Sequence, residues 1–347
     1  MKKEIKSRKF WKNFSEKTAE REIPFKLSFE LTHNCNLSCR HCYIAAENKK
    51  ELFLQEICSI LEQLADAGCF HINFTGGEIF IRSDILDILE FAKNKGFYIV
   101  LLTNAVLITP EIARRLKKIG INQVDISFYG TTKETYESIT NVGGSFERCL
   151  KGINLLKENG IYVCLKAMAM NLNRNEISRV KEFAKNINVR FQYGYLLHSK
   201  IDGSKQPLCY RLPPEEIMEL TEEMCVPRLH QSTVKVLDRD FKKEFFYCSA
   251  GRNSFAITPY GEMNLCLQYR FPKYDLRKGS VASGWRELTD YVKSALPSEN
   301  YECDKCEFRQ YCNWCPADGL LECGDRNACV PYLKEIARLR KEKRIEV

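Results

Sequence analysis

The sequence predicts an α/β fold: a parallel sheet of six strands with helices outside it, closing only part of a barrel. Three observations point there. From Lys26 onward, short apolar runs bounded by turn residues alternate with stretches of helical period, the mark of repeated βα units. The alternation is strict, which implies parallel strands covered by helices. The strands number six, and a closed barrel needs eight.

The strands are LSFELT (27–32), FHINFT (70–75), FYIVLLT (97–103), QVDISFY (123–129), YVCLKAM (162–168) and VRFQYGY (189–195). Between them, LQEICSILEQLADAG puts Ile57, Ile60, Leu61 and Leu64 on one face and stops at Gly68. SDILDILEFAKNKG takes Ser83 as its N-cap and ends at Gly96. TPEIARRLKKIG has Thr109 as cap, Pro110 in the first turn and Gly120 as stop. SFERCLKGINLLKENG and NRNEISRVKEFAKNI complete the set. Five segments follow from this pattern. They are a polar N-terminal arm (1–25), the sheet region (26–200), a bridging stretch (201–244) with a helix near 213–225, a cysteine-rich region (245–335), and the end of a basic helix (336–347).

Composition narrows the function. The chain has 347 residues, 44% hydrophobic and 28% charged, an ordinary globular mixture that excludes wholesale disorder. No run approaches the roughly 20 apolar residues that span a bilayer. The start, MKKEIKSRKFWKNFSEK, lacks the apolar core of a secretion signal, so a cytoplasmic protein is expected. The net charge of +8 is dispersed, with density only near Lys2–Lys12 and Arg338–Arg344, and neither a membrane nor nucleic acid is expected as partner. The unusual number is 17 cysteines, which in a long cytoplasmic chain points to metal or redox chemistry rather than disulfides.

Directly after the first strand comes THNCNLSCRHCY, with Cys35, Cys39 and Cys42 spaced C-x3-C-x2-C. Three thiolates on one short loop can hold three irons of a four-iron cluster and leave the fourth open to a ligand, as a catalytic zinc keeps an open position. On spacing alone, zinc with His33 or His41 as fourth ligand is the alternative. The second strand ends in Thr75-Gly76-Gly77-Glu78, where two glycines let backbone approach a ligand and a glutamate can accept from an ammonium. In parallel α/β sheets ligands sit at these C-terminal strand ends.

These motifs resemble those of radical S-adenosylmethionine (SAM) enzymes, over residues 26 to about 195. The resemblance implies a partial (β/α)6 barrel. It implies a [4Fe–4S] cluster on Cys35, Cys39 and Cys42 whose unique iron chelates SAM. Thr75, Gly76, Gly77 and Glu78 would lie at the SAM amino group, His41 near the adenine and Ser127 near the ribose or carboxylate. The arginine that many relatives place after that serine is absent; Asn141 and Gly143 stand there, and Lys166 is the substitute expected. The chemistry implied is one-electron cleavage of the sulfonium to a 5′-deoxyadenosyl radical, with an electron donor such as ferredoxin or flavodoxin.

The C-terminal cysteines read C-x12-G-x4-C (Cys248, Gly261, Cys266), then C-x2-C-x5-C-x2-C (Cys303, Cys306, Cys312, Cys315), then Cys323 and Cys329. Paired zinc ribbons space their pairs more widely. The pattern resembles the SPASM domain, the auxiliary-cluster domain of peptide-modifying radical SAM enzymes, except that the last pair is one residue tighter. The resemblance implies two auxiliary [4Fe–4S] clusters. Cys303, Cys306, Cys312 and Cys329 would hold the distal one. Cys248, Cys266 and Cys315 would hold the proximal one, with the fourth position open or taken by Cys323 or a non-cysteine group. Three such clusters would bring about −4 to −5 of charge, so the positive apo charge is partly a cluster-holding charge. Of the other cysteines, Cys58, Cys149 and Cys164 sit in apolar patterns and are expected as core fillers; Cys69, Cys209 and Cys225 have no assignment.

The function implied is oxidative modification of a peptide or protein, as in maturation of ribosomally made peptides. The short arm before the first strand leaves leader recognition to a separate binding protein. The sulfatase-maturing subclass carries an acid after the second SPASM cysteine, where this sequence has Leu267. The alternatives are tailoring of a small cofactor such as a haem precursor and, in another class, a non-enzymatic zinc or electron-transfer protein.

Overall fold

The computed structural model describes residues 13–45, 47–224 and 245–345. Its centre is one sheet of nine strands in the order β6-β5-β4-β3-β2-β1-β7-β8-β9. The first six are β1 (Lys26–Thr32), β2 (His71–Gly76), β3 (Tyr98–Thr103), β4 (Gln123–Ser127), β5 (Val163–Met168) and β6 (Arg190–Gly194). All six run parallel, and β6 ends the sheet without closing onto β1. This is the partial barrel expected, each strand within two residues of its predicted bounds.

Helices α1 (Leu54–Asp66), α2 (Ile85–Asn94), α3 (Pro110–Ile119), α4 (Lys133–Thr140), α5 (Ser145–Glu158) and α6 (Ile177–Asn186) run between the strands. In α1 the predicted face, Ile57, Ile60, Leu61 and Leu64, is the buried one, each side chain contributing about 1.5–3 kcal/mol by leaving water. Thr109 caps α3 by accepting from the Ile112 N–H, and Gly120 ends it at φ +80°. Two readings differ. The N-cap of α2 is Asp84, not Ser83, because Arg82 forks onto both Asp84 oxygens and fixes it at the helix mouth. And α4 has no counterpart among the predicted helices: KETYESIT buries Tyr136, Ile139 and Thr140, too short a stripe to read as a period.

The C-terminal part continues the same sheet. β7 (Ser254–Ile257) pairs in parallel with β1, followed by the antiparallel β8 (Glu262–Asn264) and β9 (Tyr274–Asp275). β1 is therefore an interior strand, with Lys26 paired to both His71 and Ser254. Its Leu27, Phe29 and Leu31 are core residues, and the alternate positions belong to the other face of the sheet. Helices α7 (Pro214–Met224), α8 (Val281–Ser294), α9 (Pro316–Cys323) and α10 (Pro331–Glu342) complete the fold. The Tyr332 hydroxyl on α10 donates to the Leu212 carbonyl just before α7, and Arg211 pairs with Glu322 of α9. Cys225 and the stretch Lys2–Lys12 lie outside the described residues. No helix among the described residues is long and apolar enough to cross a membrane.

Candidate active site

The loop carrying Cys35, Cys39 and Cys42 leaves the C-terminal end of β1. It is pinned from the side by the end of α4: Ser38 N–H donates to the Thr140 carbonyl at 3.1 Å, and Arg40 donates to Ile139 and Ser138. The Cys42 N–H turns back onto the Cys39 carbonyl at 3.1 Å. Cys39 feels the charge of both other thiols, so the three share one small region. Burial pushes the Cys39 thiol up to about 12 and raises Cys35 and Cys42 as well. The Lys200 charge acts on Cys42 in the opposite sense.

The diglycine turn after β2 packs directly on this loop. A Cβ on Gly76, at φ +134°, would sit 2.1 Å from the Thr32 carbonyl oxygen, and one on Gly77 would sit 2.2 Å from that of Asn34. Gly77 and Glu78 N–H groups donate to those same two carbonyls at 2.8 and 2.9 Å. The glycines are thus required by contact with the thiol loop itself. Glu78 is fully buried and its carboxylate is engaged: it accepts from Thr103 Oγ1 at 2.8 and 2.9 Å, from the Asn104 N–H at 2.8 Å and from the Phe80 N–H at 3.1 Å. Asn104 Nδ2 in turn donates to Asn36 Oδ1 at 2.8 Å, next to Cys35. Glu78 therefore orders the thiol loop through Asn104. Thr75 is buried at the end of β2.

His41 stands edge-on to the Tyr129 ring at 4.7 Å. Burial drops its pKa to about 4, so it is neutral, and its buried Nδ1 has no hydrogen-bond partner among the described residues. Ser127 ends β4 and is in register with Lys166 on β5. Lys166 Nζ lies 2.5 Å from buried Asp125, so its charge is already met by an acid within the sheet.

The C-terminal thiols fall into two groups. Cys303, Cys306, Cys312 and Cys329 line one cavity with Phe308, Trp314 and Val330. Burial pushes Cys303 up to about 12, and the Arg309 charge opposes it. Arg309 and Arg340, both buried, also act on Cys312. Cys248 and Cys266 both act on Cys315, and burial raises Cys266 to about 11. The Tyr269 N–H donates to Cys266 Sγ at 3.2 Å. Cys323 is exposed, its sulfur 3.8 Å from the Cys329 carbonyl. Among the described residues no three His, Cys, Asp or Glu side chains converge on a point as for one metal ion. A four-iron cube asks for a different arrangement, thiols set around it with each on its own iron. Of the core fillers, Cys149 and Cys164 are buried as expected and Cys58 is half-buried; Cys69 is buried too, and Cys209 is exposed.

Residues not singled out in the sequence, Glu30, Tyr43 and Arg270, link the two parts together with His33. Glu30, inside β1 and fully buried, meets Arg270 Nη2 at 2.9 Å, His33 Nε2 at 3.3 Å and the Tyr43 hydroxyl at 3.2 Å. A carboxylate inside the apolar strand LSFELT was the available signal. Arg270 and Cys266 lie on the segment after β8, so this ion pair ties the thiol loop to the C-terminal thiols.

The sequence profile of the Radical SAM superfamily matches residues 29–184. The chain is 24% identical to an AdoMet-dependent heme synthase of Methanosarcina barkeri, covering 89% of this chain and 96% of that protein. It is 27% identical to the antilisterial bacteriocin subtilosin biosynthesis protein AlbA of Bacillus subtilis, covering 86% and 68%. Its fold is similar to that of Streptococcus suis SuiB bound to the precursor peptide SuiA, with a TM-score of 0.71 at 17% identity, covering 91% and 77%. The open parallel sheet and the thiol loop on its central strand are those of a radical SAM enzyme. Residues 29–184 carry the Radical SAM domain, whose superfamily works with SAM and a [4Fe–4S] cluster.

Proposed function

We propose that this enzyme binds SAM at a [4Fe–4S] cluster held by Cys35, Cys39 and Cys42 and oxidatively modifies a peptide or protein. When bound, the cluster supplies one electron to the sulfonium, and the nucleotide supplies the centre that abstracts a substrate hydrogen. The thiols that burial holds protonated give up their protons as iron binds. Thr75, Gly76, Gly77 and Ser127 border the place where the amino group and ribose would lie, and neutral His41 with Tyr129 gives a face for the adenine. Glu78 acts by positioning, since its oxygens are already engaged. Lys166 is likewise committed to Asp125, and Lys200 beside Cys42 is the better-placed cation for the SAM carboxylate.

Two auxiliary clusters belong to this reading. Cys303, Cys306, Cys312 and Cys329 hold the distal one, with Arg309 and Arg340 offsetting its negative charge; Cys248, Cys266 and Cys315 hold the proximal one. They accept the electron left after hydrogen abstraction or hold substrate. A ferredoxin or flavodoxin reduces the site, a separate protein presents the leader, and the setting is the cytoplasm. The observation that carries the proposal is the three-thiol loop locked to the diglycine turn at one end of the sheet, together with a four-thiol cavity in the C-terminal region.

A second reading, tailoring of a haem precursor, is favoured by the full-length likeness to the heme synthase. The test is anaerobic turnover with SAM and dithionite, offering in turn a ribosomal precursor peptide and an iron coproporphyrin. Loss of two hydrogens from the peptide, matched by 5′-deoxyadenosine, supports the first reading. Turnover on the porphyrin alone overturns it.

A further inference from the structure

The proximal thiols leave one corner without an assigned ligand, and the sequence offers Cys323 for it. The geometry separates the two. Cys315 is the N-cap of α9 and Cys323 its last residue, so eight steps of ~1.5 Å put them about 12 Å apart along the axis. The Cys323 sulfur is exposed on the Cys329 side.

Asp318 is placed differently. It is the third residue of α9, its side chain 5% exposed, and its charge reaches both Cys315 and Cys266. One oxygen accepts from the Cys315 N–H at 3.3 Å; the other lies 2.9 Å from His198 Nδ1. A helix-capping role accounts for an acid at this position. It does not account for a carboxylate buried beside two thiols, nor for a histidine brought to it from the segment after β6, 120 residues earlier in the chain. Ligating carboxylates are held in this way, with outer hydrogen bonds fixing the oxygen that faces the metal.

We propose that Asp318 is the fourth ligand of the proximal auxiliary cluster, and that His198 is the residue positioning it. The inference rests on the proximal cluster proposed above. An oxygen donor is harder than thiolate and holds iron less firmly than a fourth cysteine. The corner is thus filled at rest.

The test uses the full chain carrying Cys35→Ala, Cys39→Ala and Cys42→Ala, so that only auxiliary iron is present, reconstituted anaerobically, reduced, and exposed to isotopically labelled cyanide. Asp318→Asn keeps the side-chain volume and the acceptor for Cys315 while weakening the ligand; Asp318→Cys restores a strong one. About eight irons per chain are expected throughout. Electron–nuclear coupling to the labelled carbon is expected in the Asp318→Asn protein and absent with Asp318 or Asp318→Cys. Coupling with Asp318 intact would show an open corner and overturn the inference. Its absence in Asp318→Asn would mean another group fills the corner, with the same result. Only about four irons before any change at Asp318 would remove the proximal cluster itself, and the inference with it.

Discussion

The two cysteine regions solve one problem by opposite means. In the N-terminal loop three thiols lie within eight residues, on one turn at the end of one central strand. In the C-terminal region eight thiols spread over 82 residues and are gathered by short turns, α9 and the approach to α10. The first site is fixed by local backbone: carbonyls of Thr32 and Asn34 against two glycines, and α4 against the loop. The second is fixed by tertiary packing and by buried cations, Arg309 and Arg340, at the distal thiols. A local motif survives as a pattern; a dispersed ligand set exists only once the chain has folded.

The largest test of this contrast is deletion. Replacing Cys35, Cys39 and Cys42 by Ala should abolish 5′-deoxyadenosine formation and lower the iron content from about twelve to about eight, with the thermal transition nearly unchanged. Replacing Cys303, Cys306, Cys312 and Cys329 should remove about four irons and also lower the melting temperature, because the proposed cluster there would bridge separate segments. Equal melting losses in the two variants would erase the distinction.

A smaller effect is expected at Gly77→Ala. The added methyl meets the Asn34 carbonyl, so the backbone must shift, at a cost of about 1–3 kcal/mol. The loss should show in iron retained by the loop after chelator challenge, and auxiliary iron should be untouched. Uniform loss across all clusters would contradict a local origin.

The smallest concerns His71, on β2 away from both thiol regions. Burial, with Lys26 beside it, lowers its pKa to about 4. The folded value lies below the unfolded one of ~6.5, so its contribution to stability is complete above pH ~6.5 and is lost as the pH falls toward 4. His71→Gln should flatten chemical-denaturation stability over that window alone. An unchanged pH profile would show that His71 is not held neutral.

Much of this was legible beforehand. Six strands, the α3 caps and the buried face of α1 follow from periodicity, because each is decided within a dozen residues. The three-thiol loop and Gly76-Gly77 were legible for the same reason. The partner of the glycines was not: they face Thr32 at the end of β1 and Asn34 on the loop just past it. Glu78 was visible as a carboxylate, but its use was hidden, since Thr103 and Asn104 reach it from β3. Lys166 reads in the sequence as a cation open to the SAM carboxylate; the acid that meets it, Asp125, is on the neighbouring strand. The pairings Glu30–Arg270 and His198–Asp318 join residues 240 and 120 positions apart, and no window could contain them.

The double pairing of β1 also bears on synthesis. Its second neighbour, β7, begins at Ser254, so while the ribosome is still delivering the stretch before it, the strand that carries the thiol loop has one bare backbone edge. Such an edge invites pairing with another nascent chain. The loop's foundation is thus finished late in translation, and iron delivered before then would meet a platform still missing one side.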